Sequence, residues 1–262
     1  MIDLNNLLLD DEFLPVDLST VLEICEKTYR DGVEEIVLTL RMTQLLKGDC
    51  ERTRAFECRL RELRERLSEK SEISLRLSCG YEWILSDDLP GRIREFAAHP
   101  AINESNYLLI SFPSLFATLD YKRVIGEIRA DGYIPIISHP ECSRGIRRNH
   151  SIIDKLIKLG CLMQADAMSV TGGYTKEIEF FTRELLERGQ IHFIATRAGR
   201  QPRCEASLST AFERAGRIIG RSAARCLVEG NPLSVLTNVT TIEKRNRNTV
   251  ATALPAALNS RA

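Results

Sequence analysis

Short apolar runs alternate with amphipathic runs along most of this chain. Seven of the apolar runs, rich in Ile, Leu and Val, have the length and composition of buried strands. We predict strands over residues 1–5, 35–40, 73–79, 107–112, 134–138, 162–166 and 192–196. Because strands that alternate with helices form parallel sheets, this order predicts an α/β fold.

The stretches between these strands show helical spacing of apolar side chains. One helical face carries Leu18, Val21, Leu22, Cys25 and Tyr29, and another carries Phe56, Leu60, Leu63 and Leu67. Further helices are predicted over residues 120–130, 152–159, 176–188 and 206–219. Gly132, Gly160 and Gly189 follow the first three of these as helix-ending signals. Seven strand–helix units favour a closed or nearly closed barrel, whose functional side chains should lie at the carboxyl ends of the strands.

The length of 262 residues is compatible with one large domain. We assign residues 1–236 to a single barrel domain, since the alternating pattern runs that far. Residues 237–262 are rich in Thr, Asn, Arg and Ala and show no strand or helix period. We predict that they form a flexible C-terminal tail.

The charges of the chain balance, because 36 Lys and Arg residues face 36 Asp and Glu residues. No global field therefore favours nucleic acid or an anionic membrane, and we expect neither as a partner. The sequence has no apolar run long enough to span a bilayer and no signal-peptide pattern, so we expect no membrane insertion and a cytoplasmic location. The eight cysteines are scattered without a C-x-x-C pair, which indicates reduced thiols. A homo-oligomer is compatible with the sequence.

Several motifs along the chain share one order and spacing with a known family. They are Met1-Ile2-Asp3, Gly80-Tyr81-Glu82, residues 107–113, the stretch of residues 132–141 that ends in His139-Pro140-Glu141, residues 191–195, and the final Asn-Pro-x-x-x-Leu. Together they resemble the bacterial PHP-type protein-tyrosine phosphatases encoded with capsule and exopolysaccharide genes. The resemblance covers about residues 1–236 and implies a distorted seven-stranded (β/α)7 TIM-like barrel, the PHP fold.

The resemblance also implies a cluster of divalent cations, usually manganese, at the strand ends, where it would activate water and neutralise phosphate oxygens. The resemblance implies ligands at seven positions: a His-x-His pair at Asn5 and Leu7, a histidine at Arg41, a glutamate at Glu82, a histidine at His139, and an Asp-x-His pair at Arg197 and Gly199. Only Glu82 and His139 keep the ligand type. Leucine cannot coordinate a metal, and a guanidinium about 4 Å from a cation costs roughly 4 kcal/mol per unit charge at a dielectric near 20. We therefore expect no metal cofactor and no catalytic residues, with the manganese site degenerate.

The arginines at these positions suggest two replacements for the metal. Arg41 and Arg197 could pair with Glu82, Asp166 or Glu141 and so supply fixed positive charge. They could instead bind phosphate or phosphotyrosine together with arginines of adjacent loops. The phosphate-binding candidates are Arg41, Arg197, Arg144 and Arg200, with Arg147, Arg148 and Arg203 nearby.

Two functions remain open from the sequence. We favour a catalytically impaired phosphatase homologue, a pseudoenzyme that binds or regulates a bacterial tyrosine kinase or another phosphotyrosine-containing protein of capsule or exopolysaccharide assembly. The alternative is an active manganese-dependent tyrosine phosphatase or phosphoesterase with a rebuilt site, formed by His139, Glu82, Glu141 and Asp166. The first predicts protein without manganese and without turnover, and the second predicts bound metal and activity that His139→Ala abolishes.

Overall fold

A computed structural model describes residues 1–7, 17–42, 49–113, 119–198 and 207–239 of the chain. Seven strands form one sheet in which sequence neighbours are also spatial neighbours. Every adjacent pair is parallel. The strands are β1 (Ile2–Asn6), β2 (Glu35–Met42), β3 (Arg76–Ile84), β4 (Tyr107–Ser111), β5 (Ile134–Ser138), β6 (Leu162–Asp166) and β7 (Phe193–Ala195).

The first and last strands meet and nearly close the sheet into a barrel. Just after β7, the Arg197 N–H donates to the Asn5 carbonyl over 2.9 Å, and the Leu7 N–H donates to the Ala198 carbonyl over 2.8 Å. A sheet whose edges are paired in this way leaves few free backbone groups. The predicted α/β barrel of seven strands is confirmed.

Helices connect the strands and cover the outside of the barrel. They are α1 (Leu18–Arg30), α2 (Asp49–Ser68), α3 (Leu89–Glu95), α4 (Tyr121–Ala130), α5 (Arg144–Arg148), α6 (Ser151–Lys158), α7 (Ala167–Thr171), α8 (Lys176–Glu187), α9 (Leu208–Ile219), α10 (Arg221–Arg225) and α11 (Asn231–Leu236). A 3₁₀ turn (Pro140–Cys142) precedes α5, and a π-helical turn (Cys226–Gly230) precedes α11. Polar side chains begin several of these helices; for example, Asp17 accepts from the Ser19 N–H at the start of α1.

Most predicted elements lie within one or two residues of the observed ones, but the third strand does not. The prediction of residues 73–79 was wrong, because β3 starts at Arg76 and continues to Ile84. Gly80 and Glu82 look like the end of a strand in the sequence, yet both lie inside β3. A Cβ at Gly80 would come within 3.3 Å of the Ile102 backbone, so only glycine fits there without displacement. The short helices α3, α5, α7, α10 and α11 were not predicted.

The barrel interior consists of an apolar layer beneath a polar layer. At the amino ends of the strands, the interior is filled by fully buried side chains that include Leu4, Val37, Leu109, Ile136 and Phe193. A second and larger core lies between the outside of the sheet and the helices. Polar side chains from four strands lie above the apolar layer, nearer to the carboxyl ends of the strands. We call this end of the barrel the barrel mouth.

The chain remains ordered slightly beyond the predicted domain boundary. The Asn106 N–H donates to the Asn238 side chain, and the Tyr107 hydroxyl donates to the Val239 carbonyl over 2.7 Å. Residues 240–262, most of the predicted tail, lie outside the described residues, so the division at residue 236 stays a prediction. Within the described ranges, no helix combines the length and apolarity needed to cross a membrane, and the six cysteines Cys25, Cys58, Cys79, Cys142, Cys161 and Cys226 are free thiols.

Candidate functional site

Five strands bring charged side chains together at the barrel mouth. Arg41 and Glu82 lie inside β2 and β3, not after them as the sequence suggested, and they are paired neighbours in the sheet. Asp166 is the last residue of β6, while His139 and Arg197 follow β5 and β7. His139 and Arg197 both have positive φ, 43° and 50°, which is uncommon for residues with a side chain. These turns direct both side chains toward Glu82.

Glu82 is the centre of this cluster and is fully buried. Its Oε2 lies 3.2 Å from Arg41 Nε and 3.4 Å from the Nη2 of Arg197. Its Oε1 lies 3.7 Å from His139 Nδ1. Arg41 and Arg197 therefore both pair with a carboxylate at the mouth, which is one of the two roles predicted for them. That carboxylate is Glu82.

The surroundings keep Glu82 ionised in spite of its burial. Burial alone would raise the pKa of the Glu82 carboxyl, but the positive charges of Arg197, His139 and Arg41 outweigh it and lower the pKa well below the usual value. Arg197 is equally enclosed, with its side chain 2% exposed. Burial would lower the pKa of its guanidinium, yet Glu82 and Asp166 raise it, so the group stays charged. The centre of the mouth is a buried ion cluster.

Asp166 and Glu141 form the other side of the cluster. One oxygen of Asp166 accepts from the Met168 N–H and caps α7, and the other accepts from the Tyr174 hydroxyl over 3.0 Å. Arg197 Nη1 lies 3.9 Å from Asp166. Glu141 accepts from the Asp166 N–H over 2.8 Å. Burial, with the nearby Asp166 charge, raises the pKa of Glu141 to about 7, so this group is largely neutral below that pH.

The charges at the mouth show what the site can hold. The part-buried Arg41 and the buried Arg197 balance the buried anions Glu82 and Asp166, and Glu141, with its pKa raised to about 7, is only partly ionised at neutral pH. Arg144 lies at the rim, is exposed, and forms no ion pair with any residue that the structure describes. The mouth therefore carries a small excess of positive charge, which suits an anion better than a cation.

A cavity of about 540 Å³ opens above the ion cluster. Arg41 and Arg144 line it together with His139, Phe112 and Ser138, so cationic and aromatic groups border the same space. Arg197 does not line the cavity, and its side chain is buried beside Glu82. Of the predicted phosphate-binding arginines, two thus face the cavity and one is internal, while Arg200 lies outside the described residues. A volume of this size is in the range of small-molecule sites.

The manganese that the resemblance implies needs several oxygen or nitrogen donors at fixed positions. In the described parts of the chain, no group of three or more His, Cys, Asp or Glu side chains could hold a metal ion. Glu82 and Asp166 both face the Arg197 guanidinium, and Asp166 is also occupied by the Met168 N–H and the Tyr174 hydroxyl. This donor set does not fit a cluster of cations, because guanidinium groups take the positions that positive ions would need.

The sequence did not indicate the polar layer beneath the cluster. Asn5, interpreted only as a lost ligand, donates to Ser138 and Gln164 over 3.1 Å each and accepts from the Thr39 hydroxyl over 2.8 Å. The Ser138 hydroxyl in turn lies 2.7 Å from His139 Nδ1 and so orients this ring. The polar layer could have been predicted from the polar residues at inward-facing positions of otherwise apolar strands. Tyr174 was likewise missed as a partner of Asp166.

Comparisons with known proteins agree with this architecture. The family model described as capsular polysaccharide synthesis, CpsB/CapC, matches residues 9–237. The CapC protein of Staphylococcus aureus is 30% identical over 200 residues, which cover 76% of each chain. The tyrosine-protein phosphatase CpsB of Streptococcus agalactiae is 22% identical over 244 residues, covering 91% of this chain and 99% of CpsB.

A solved structure shows the same fold. It comes from the crystal structures of YwqE from Bacillus subtilis and CpsB from Streptococcus pneumoniae, described there as unique metal-dependent tyrosine phosphatases. The superposition has a TM-score of 0.80 and 25% sequence identity, and it covers 92% of this chain and 96% of the other. The fold is thus shared with enzymes of this type, and in this chain Glu82 at the mouth is paired with Arg41 and Arg197.

Proposed function

This chain belongs to the CpsB/CapC family of capsular polysaccharide synthesis, and we propose that it recognises a phosphotyrosine-containing protein of that system without hydrolysing it. In this proposal the chain is a pseudoenzyme, and its partner is a bacterial tyrosine kinase or another tyrosine-phosphorylated capsule or exopolysaccharide protein. The observation that carries the proposal is the pairing of Glu82 with both Arg41 and Arg197.

That pairing removes the electrostatic reason for a cation at the mouth. A carboxylate held by two guanidinium groups is already neutralised, and a divalent ion placed beside them would meet two fixed positive charges at short range. Without a bound metal, the site lacks the group that would lower the pKa of an attacking water. His139 and Glu82 alone provide too few donors to replace it. The geometry therefore supports binding and not turnover.

The cavity above the cluster has the composition expected for phosphotyrosine. Arg41 and Arg144 could each donate to phosphate oxygens, and arginine is suited to this because its planar fork binds two oxygens at once. Phe112 borders the same cavity, where the tyrosine ring of the ligand could pack. His139 adds a third potential donor through a ring N–H. The buried Arg197 does not line the cavity and instead pairs with Glu82.

Binding can be tested separately from catalysis. A fluorescein-labelled phosphotyrosine peptide should bind in the presence of EDTA, and the unphosphorylated peptide should not. Arg144→Ala should weaken binding about tenfold, the scale of one charge-assisted contact. Arg148→Ala is the matched control, because Arg148 is exposed on the same short helix but does not line the cavity. Equal affinity for both peptides would contradict the proposal.

The alternative is an active manganese-dependent tyrosine phosphatase, and one observation favours it. Glu82, His139, Glu141 and Asp166, the residues expected in a rebuilt site, do lie at the same end of the barrel. Elemental analysis of protein purified with manganese, followed by hydrolysis assays with p-nitrophenyl phosphate and the phosphotyrosine peptide, decides between the two. Stoichiometric metal together with turnover that His139→Ala removes would establish the alternative.

A further inference from the structure

A groove on the outside of the barrel lies between α8 and α9, which pack against each other. Its volume is about 470 Å³, and its lining includes the apolar side chains of Val170, Leu186 and Ile218. Phe180 stands at this groove with 72% of its surface exposed, the largest exposure among the big apolar side chains of the described residues. The groove shares no lining residue with the cavity at the barrel mouth.

The charged side chains of this groove are mostly cationic. Lys176 and Arg214 both bond the same carboxylate, Glu179, over 2.6 and 3.1 Å. Arg217 forms no ion pair with the described residues, and Arg183 pairs with a glutamate one turn along its own helix. Four cations thus line the groove against one lining carboxylate, and an excess of two positive charges remains when Glu187, the partner of Arg183, is also counted. Because the whole chain has no net charge, this is a local concentration of positive charge.

We propose that this groove binds an acidic peptide segment of a partner protein. Carboxylates of the segment would pair with Arg217 and with the cations that now share Glu179, while one apolar side chain of the segment would pack beside Phe180 and Ile218. The apolar lining favours a peptide over a nucleic-acid backbone, since phosphates and sugars would gain nothing from it. An apolar centre surrounded by a charged rim is the composition that protein–protein interfaces commonly have.

The chain's own tail has the wrong charge to fill the groove. Residues 240–262 contain one acidic residue against four basic ones, namely Glu243 against Lys244, Arg245, Arg247 and Arg261. Four positive charges of the tail would face the cations of the groove at short range. The tail is thus excluded on charge, and the occupant we infer is an acidic segment of a partner protein.

A defined probe tests this inference on the full chain. A short fluorescein-labelled peptide of glutamates with two leucines should bind, as measured by fluorescence anisotropy, and a peptide with lysines in place of the glutamates should not. Arg217→Glu should weaken binding about tenfold, and Phe180→Asp by a similar factor. Raising the salt from about 0.1 to about 0.5 M should weaken binding too, because it screens exposed charges.

The control variant is Lys122→Glu, which makes the same change in net charge. Lys122 is exposed on α4, lies outside the groove and forms no ion pair with the described residues. It should leave binding within about twofold. Equal weakening by Lys122→Glu and Arg217→Glu, tighter binding of a single-stranded DNA oligonucleotide, or a dimer in light scattering that Phe180→Asp dissociates would each overturn the inference. Since these substitutions are on exposed residues, circular dichroism should show unchanged folding.

Discussion

The two ends of the barrel interior are built from the same strands but held together differently. At the amino ends, fully buried apolar side chains such as Leu4, Leu109 and Phe193 fill the space. At the carboxyl ends, the equally buried Glu82 and Arg197 form an ion pair over 3.4 Å at the mouth. One end is stabilised by the removal of apolar surface from water, and the other depends on compensation between charges that are costly to bury singly.

This difference explains why one end can change its function while the other maintains the fold. An apolar layer tolerates only side chains of similar volume, because a cavity or an overpacked site costs several kcal/mol. A charged layer must instead conserve its balance of charge. Guanidinium groups can supply the positive charge that metal ions supply in other proteins, so the charges of a barrel mouth can be balanced in either way.

The apolar end should give the largest effect on stability. Phe193→Ala deletes a ring that is fully buried inside the barrel, and we expect a loss of about 4 kcal/mol in the free energy of unfolding. Phe180→Ala is the matched control, since that ring is 72% exposed and its loss should cost less than about 0.5 kcal/mol. Urea unfolding measures both. Similar values for the two variants would mean that the apolar layer is not what holds this end together.

The charged end should respond almost as strongly to the loss of one partner. Arg197→Met keeps much of the side-chain volume but leaves Glu82 with one guanidinium fewer in a buried site. We expect a loss of about 3 kcal/mol, because an uncompensated buried charge is the main cost. Arg217→Met, on an exposed arginine without an ion pair among the described residues, should change stability by less than about 0.5 kcal/mol. An Arg197→Met protein as stable as wild type would contradict the role of the ion cluster.

A buried histidine near the amino end makes that end sensitive to acid. His192 accepts from the Met163 N–H, and burial lowers its pKa from the usual 6.5 to about 4. Because the folded pKa is the lower one, the stabilisation is present above pH 6.5 and is lost as the pH falls toward 4. We expect His192 to account for a loss of about 2 kcal/mol between about pH 7 and about pH 5.

The acid sensitivity can be assigned to this ring by one substitution. His192→Asn keeps an acceptor for the Met163 N–H but cannot take up a proton. The variant should be less stable than wild type at neutral pH, because it loses the packing of the ring, yet its stability should fall less steeply on acidification. Urea unfolding at several pH values gives both slopes. If the slopes are parallel, other groups cause the acid sensitivity.

The fold could be predicted largely because its signals are repeated. Seven apolar runs separated by amphipathic helices gave the parallel barrel, and glycines marked the helix ends. The third strand was misplaced because glycine and glutamate are both uncommon inside strands. Gly80 fits inside β3 because Ile102 lies close to its backbone, and Glu82 fits because Arg41 pairs with its charge. These contacts come from residues that are distant in the sequence, so the pattern of residues around the strand does not indicate them.

The charges of the site could also be predicted, but its layering could not. The sequence left two roles open for Arg41 and Arg197, pairing with a carboxylate or binding phosphate, and both pair with Glu82. It did not show that Arg197 is buried while Arg41 lines the cavity, since the sequence placed both residues at the carboxyl ends of strands. The depth of a side chain in a barrel depends on strand register and on where each strand ends, and residue type fixes neither.

Added manganese should have the smallest effect of all, and this makes it the sharpest test of the charged end. If the balanced cluster excludes cations, the melting temperature should change by less than about 1 °C in excess manganese, compared with EDTA. A bound ion at a concentration 100 times its Kd would add about 2.7 kcal/mol, which is roughly 5 °C or more for a domain of this size. The double variant Arg41→His/Arg197→Asp restores the two ligand types that the resemblance expects, and it should begin to respond to manganese. A response of the wild-type protein that His139→Ala removes would instead show that the guanidinium groups of Arg41 and Arg197 do not exclude metal from the mouth.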